Sequence, residues 1–153
     1  MPAIGQTINV GDINRIVRKL NQYGARGQRE AQKALEDTTL QVQHKALEMV
    51  PADKGDLKRT IRPYIGPMYG EVRAGSDTVD YAAHVEYGTK PHPIEPVKAE
   101  YLRFKVNGEW VMAKHVDHPG TMEQPYMRPA ANLGKKQFRL NLTKRLRDLS
   151  KTL

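Results

Sequence analysis

Residues 28–50 set the constraint that the rest of the chain must satisfy. Ala31, Ala34, Leu35, Thr38, Val42, Ala46, Met49 and Val50 recur at helical spacing, Gln, Lys and Glu fill the other positions, and Pro51 stops the run. A helix of about six turns with a single apolar stripe is stable only against a partner of similar length. The end of the chain supplies one: Ala131, Gly134, Phe138, Leu142, Leu146 and Leu149 recur every three or four residues, and Pro129 suits the first turn. A further helix is expected from Asp12, an N-cap type, carrying Ile13, Ile16, Val17 and Leu20. Gly24 and Gly27 predict a break over residues 23–27.

Between the two long helices the pattern becomes β-like. The runs RPYIG and YGEVRAG, parted by Gly-Pro, predict a hairpin, and DYAAHVEYG predicts a short helix that ends at Gly88 with Tyr81, Ala82 and Val85 on one face. KPHPIEP, with three prolines in seven residues, predicts an extended or turning loop. Glu100–Val106 and Glu109–His115 are strand-like arms joined by Asn107-Gly108, the pair favoured in a type I′ turn. Leu102, Phe104 and Val106 alternate with charged neighbours in the first arm, and Trp110 and Met112 do so in the second. The expected fold is α+β: two long helices packed on a small antiparallel sheet, with a short helix and an inserted β-hairpin. At 153 residues this is one domain. Its parts are a helical N-terminal arm over 1–30, a loop and hairpin insertion over 91–120, and a basic helix over 125–153.

Charge and composition narrow the function classes. The net charge of +8 sits at the two ends: residues 1–30 carry five basic and two acidic residues, residues 133–153 seven and one, and the middle is nearly neutral. Such basic ends predict an anionic partner or a merely solvated helix face. The absence of cysteine excludes disulfides and thiolate chemistry and fits a reducing compartment. No window is apolar enough to span a bilayer, so no membrane partner is expected. The opening MPAIGQTINVGD lacks the basic and apolar regions of a signal peptide. The expectation is a soluble, cytosol-made protein.

Catalytic patterns are sparse. His115 and His118 form an H-x-x-H pair with Asp117 and Glu123 nearby, but two histidines on a Pro-Gly loop are half a metal site. His84 and Glu86, two apart in a short helix, point to different faces and cannot work as a base and its orienter. No nucleophile-elbow, Walker or dinucleotide pattern occurs. No catalytic residue, cofactor or metal is expected.

Three segments are unusually specific for joints between elements: VPADKGDLKRTI at 50–61, YAAHVEYGT at 81–89 and QPYMRPA at 124–130. In this order they resemble the tail-completion, or head–tail joining, proteins of long-tailed bacteriophages, often described as minor tail proteins, over roughly residues 30–140. His84 stands where the family often has an aromatic residue, and the stretch from Pro91 to Gly120 is long. The resemblance implies a non-enzymatic part of the virion neck, made in the host cytoplasm, whose subunits form a ring, usually six-fold, between the portal–connector stack and the tail tube. Its implied partners are further copies of itself, a connector or adaptor on the head side, and the tail tube or tail terminator on the tail side. DNA passing through the lumen is a further partner.

The residues add candidate surfaces. Two amphipathic arms as long as 100–115 are poorly stabilised alone, so Leu102, Phe104, Trp110 and Met112 are expected to meet a neighbouring subunit or ring. Arg128, fixed between Pro125 and Pro129, is expected in a buried or interfacial ion pair with Glu86. Lys135, Lys136, Arg139, Lys144, Arg145, Arg147 and Lys151 are expected to contact an acidic surface or DNA. The alternative class is a nucleic-acid-binding protein that uses this C-terminal helix.

Overall fold

A computed structural model describes residues 4–7, 13–51 and 55–152. The long helix α1 runs Ile13–Met49 and is bent at Gly24, whose φ of 54° and ψ of −142° leave helical space. Glycine tolerates that backbone without the Cβ clash any other residue would meet, so the break falls inside the expected window. Asp12 and the side chains of Ile13, Ile16, Val17 and Leu20 lie outside the described residues. Beyond the bend, Ala31, Ala34, Leu35, Thr38, Val42, Ala46 and Val50 are buried as the stripe predicts, and Thr39 joins them. Met49 departs from the expectation and is exposed. Thr38 and Thr39 enter the core because their hydroxyls donate to the carbonyls of Ala34 and Leu35, at 2.6 and 2.8 Å.

Helix α4, Met127–Ser150, is the partner. Ala130 packs with Val42 and Ala46, whereas Phe138 and Leu142 pack with Ala31, Ala34 and Leu35, so the two helices run antiparallel. Small residues on both sides, Ala31, Ala34, Ala130, Ala131 and Gly134, let the axes approach closely. Arg145 ties the same surfaces together, donating to Glu30 at 3.1 Å and Asp37 at 2.6 Å.

Under the helices lies a three-stranded antiparallel sheet of β1 (Ile4–Thr7), β2 (Arg62–Gly66) and β3 (Tyr69–Ala74), with β3 in the centre. The predicted hairpin is β2–β3; the β1 edge strand was not anticipated from sequence. In β3, Gly70, Val72 and Ala74 are buried on the helix side. A Cβ at Gly70 would run into the Thr39 hydroxyl and the Leu35 side chain, so glycine sets how near α1 the sheet sits. Gln32 pins the β2–β3 turn, donating to Gly66 O (3.1 Å) and accepting from Met68 N (2.7 Å). A short helix α2 (Asp56–Thr60) leads into β2 and buries Leu57.

Helix α3, Ala82–Tyr87, ends at Gly88 as predicted, yet its buried face is Ala82 and Glu86 with Val85 beside them, and Tyr81 is exposed. From there the chain leaves the body as a two-stranded arm. Thr89 bridges Thr121, then β4 (His92–Ile94) pairs with β7 (Val116–His118), then β5 (Leu102–Val106) pairs with β6 (Glu109–Ala113). The expected loop at KPHPIEP thus contributes a strand. Seven residues, 95–101, separate β4 from β5, against two between β6 and β7, so the outgoing strand bulges at mid-arm. The tip is the predicted Asn107-Gly108 turn, with φ of 53° and 89°. The arrangement is α+β, with α1 on β2 and β3 and α4 touching β1.

Candidate functional site

The joint between α3 and α4 gathers the most demanding polar chemistry. Helix α4 starts without a side-chain cap of its own, because Tyr126 at the cap position offers no acceptor. Glu86, fully buried, fills the role from forty residues upstream. Its carboxylate accepts from the backbone N–H of Tyr126 and Met127, both at 2.8 Å, and of Arg128 at 2.9 Å. Pro129 has no N–H, so one carboxylate and one proline account for the opening turn. The negative charge also lies at the positive end of the helix dipole.

Arg128 closes the joint from outside, as its flanking prolines suggest. Its Nε donates to Glu86 at 3.0 Å, and Nη2 donates to Glu86 O at 3.0 Å and to Glu123 at 2.6 Å. The guanidinium also lies 5.0 Å from the Tyr87 ring centre. Glu123, and then Glu86, hold its pKa above the usual arginine value. Glu86 and Arg128 are therefore brought together within one chain. Beside them the buried Tyr126 hydroxyl has no hydrogen-bond partner among the described residues. Burial first, and the Glu86 charge second, push its pKa well above that of a free tyrosine. Sequence reasoning paired Arg128 with Glu86 but missed the three backbone donors. A helix opening on Gln-Pro-Tyr-Met shows that a local cap is missing, but not which residue supplies it.

The arm presents a second constellation. No residue of β4 to β7 is fully buried. The register sets Leu102 opposite Ala113, Phe104 opposite Val111 and Val106 opposite Glu109, so these share one face. Arg103 opposite Met112 and Lys105 opposite Trp110 share the other. Leu102 and Phe104 thus stand on the apolar face, while Trp110 and Met112, 58 % and 63 % exposed, stand on the cationic one. There the Arg103 guanidinium carbon is 4.2 Å, and the Lys105 ammonium 5.0 Å, from the Trp110 ring centre.

The basic residues of α4 also divide. Lys135, Lys136, Arg139, Lys144 and Arg147 are exposed and form no ion pair among the described residues. Arg145 is engaged with Glu30 and Asp37 inside the chain, and Asp37 is the main cause of its raised pKa. Lys151 lies 3.7 Å from Asp148. Among the described residues no three His, Asp or Glu side chains are gathered for a metal. His115 contacts Asp117 at 2.9 Å on the exposed arm, and His118 accepts from Gly120 N at 3.0 Å. His84 is exposed. No helix is long and apolar enough to cross a membrane among the described residues.

Comparison with known proteins bears on the first half of this architecture. Residues 14–88, from α1 through α3, match the family model described as "Bacteriophage HK97-gp10, putative tail-component". The match supports the phage head–tail joining and tail protein family that the three ordered segments resemble. No curated protein and no solved structure matches the chain.

Proposed function

We propose, from the premise that this chain is a member of a phage head–tail joining and tail protein family, that it is a ring-forming adaptor of the virion neck. The family supports a structural role in the tail or neck, within the virion. The finer reading is that copies of the chain, six by the resemblance, join the portal–connector stack to the tail tube without performing catalysis. The whole chain acts as one tail-completion-like domain, in which the N-terminal residues 1–30 contribute β1 and the start of α1 to the body, 91–120 are an insertion and 125–153 a basic helix.

The observation that carries this reading is the arm. A hairpin with an apolar face of Leu102, Phe104, Val106, Val111 and Ala113, none fully buried, is marginal as an isolated two-stranded unit. A ring needs heterologous contacts, in which one face of a subunit meets a different face of the next. The apolar side of the arm is suited to such a contact, and its strand edges to main-chain pairing with a neighbour. Trp110 and Met112 face a second neighbour or the lumen. The exposed cations of α4 meet an acidic neck protein or DNA, and a DNA-binding protein that uses α4 is the second reading those five residues favour.

Light scattering after size exclusion, with particle imaging, tests the proposal on the full chain. A closed ring is expected, and deletion of residues 100–115 is expected to leave folded subunits that no longer close. Normal rings from the deletion variant would remove the arm from the assembly contact. A wild-type chain that stays monomeric at high concentration and binds DNA through α4 would favour the second reading.

A further inference from the structure

The cationic face of the hairpin has a chemistry that subunit contact does not explain. Arg103 and Lys105 are neighbours on one side of β5, and their charged groups converge on a single aromatic ring. Neither forms an ion pair among the described residues; both are held instead over the Trp110 ring. Just past the paired ends, Lys114 lies 5.3 Å from the Tyr101 ring centre and 4.0 Å from a Glu100 oxygen. Glu109, at the tip, pairs across to Val106 and therefore belongs to the opposite face. Aromatic contacts fix the long cationic side chains without neutralising them, so little rotamer entropy remains to be lost when an anion binds.

We propose that this face of the hairpin binds the phosphate backbone of double-stranded DNA without base selectivity. Both cations are exposed and uncompensated on one face, so charge complementarity selects a polyanion, and a duplex offers phosphates to both at once. A two-stranded ribbon also has the width that the major groove admits. Two cations already lie against the Trp110 ring, which makes it a brace and not a platform for unstacked bases, and this favours duplex over single-stranded nucleic acid.

Trp110 is the only tryptophan in the chain, so it reports from inside the site. The test titrates the full-length protein with a mixed-sequence 30-base-pair duplex at 50 and 200 mM salt, following intrinsic tryptophan fluorescence and DNA anisotropy together. Both signals are expected to saturate at the same protein-to-DNA ratio, with affinity falling steeply as salt rises. The double variant R103A/K105A is expected to bind roughly tenfold or more weakly at low salt, with a log–log salt slope shallower by about two. Recovery of binding in R103K/K105R would show that charge is what the DNA reads.

The proposal is overturned if no duplex binds, or if DNA binds while tryptophan fluorescence stays constant and R103A/K105A matches wild type. It is also overturned if polyglutamate, at equal charge concentration, displaces the duplex, since the face would then serve an acidic protein surface. Ring formation is read from mass on the same samples, so either conclusion can fail alone.

Discussion

The body and the arm are built on opposite principles. In the body, α1, α4 and the sheet bury Val42, Ala46, Ile61, Val72, Tyr126 and Met127 almost completely, and even its most deeply buried charge, Glu86, is saturated with donors. The arm, residues 89–121, has good strand register and a well-formed turn but no buried side chain in its strands. The body derives its stability from packing within one subunit; the arm has regular shape with little packing to hold it. Its half-buried apolar face is the surface that the proposed ring contact would cover.

Substitutions in the two regions should therefore differ in what they cost. The largest effect is expected in the body from Glu86→Ala, which strands three N–H groups and a guanidinium. A loss of about 3 kcal/mol in denaturant unfolding is expected, and a loss below half of that would mean α4 does not depend on α3. Gly70→Ala comes next, at about 2 kcal/mol, because the added methyl must displace Thr39 or Leu35; an unchanged melting midpoint would show that the sheet can shift away from α1.

Tyr126→Phe is expected to act in the other direction, raising stability by up to about 1 kcal/mol by removing an unpartnered buried hydroxyl. The native tyrosine's pKa is raised, so folding favours its neutral form. Its contribution is intact below the unfolded value near 10 and is lost as pH climbs from there towards the folded value. The phenylalanine variant should therefore lose less stability in alkaline melts, and parallel curves for the two proteins would contradict the burial argument. The smallest effect on folding is expected in the arm. Phe104→Ala should cost about 0.5 kcal/mol or less in the isolated subunit, yet weaken assembly; a large folding loss would mean that the arm packs on its own body.

The difference between the regions also explains what the sequence could reveal. The α1 stripe was legible because helical periodicity and burial coincide over many residues, and Met49 strayed only where the helix ends. The Asn107-Gly108 turn was legible because it requires two positive φ angles. Trp110 and Met112 were harder to place. Alternation was visible in each strand, but the two-residue turn makes even positions of β5 face odd positions of β6, which sets Trp110 opposite Lys105. Arg145 belongs by sequence to the run of C-terminal cations, yet it stands three residues after buried Leu142, on the inner side of α4. The buried contacts of Glu86 span some forty residues, and no local pattern encodes a cap borrowed from so far away. Strand β1, four residues of ordinary composition, owes its form to pairing with β3.

The borrowed cap also has a consequence for the order in which the chain can fold. The groove of α1 that takes Phe138 and Leu142 is complete once residue 50 is made, but its other half arrives about one hundred residues later, as the separation of Thr38 from Asn141 shows. Loop closure of that length is slow, and the side of Ala31, Ala34 and Leu35 that α4 covers has no partner before it. Glu86 precedes α4 in the chain, so the carboxylate that caps the last helix is already made when that helix is synthesised. Early release of the chain would leave that apolar groove open, which makes the closing helix the step that commits a newly made subunit to a soluble form rather than to aggregation.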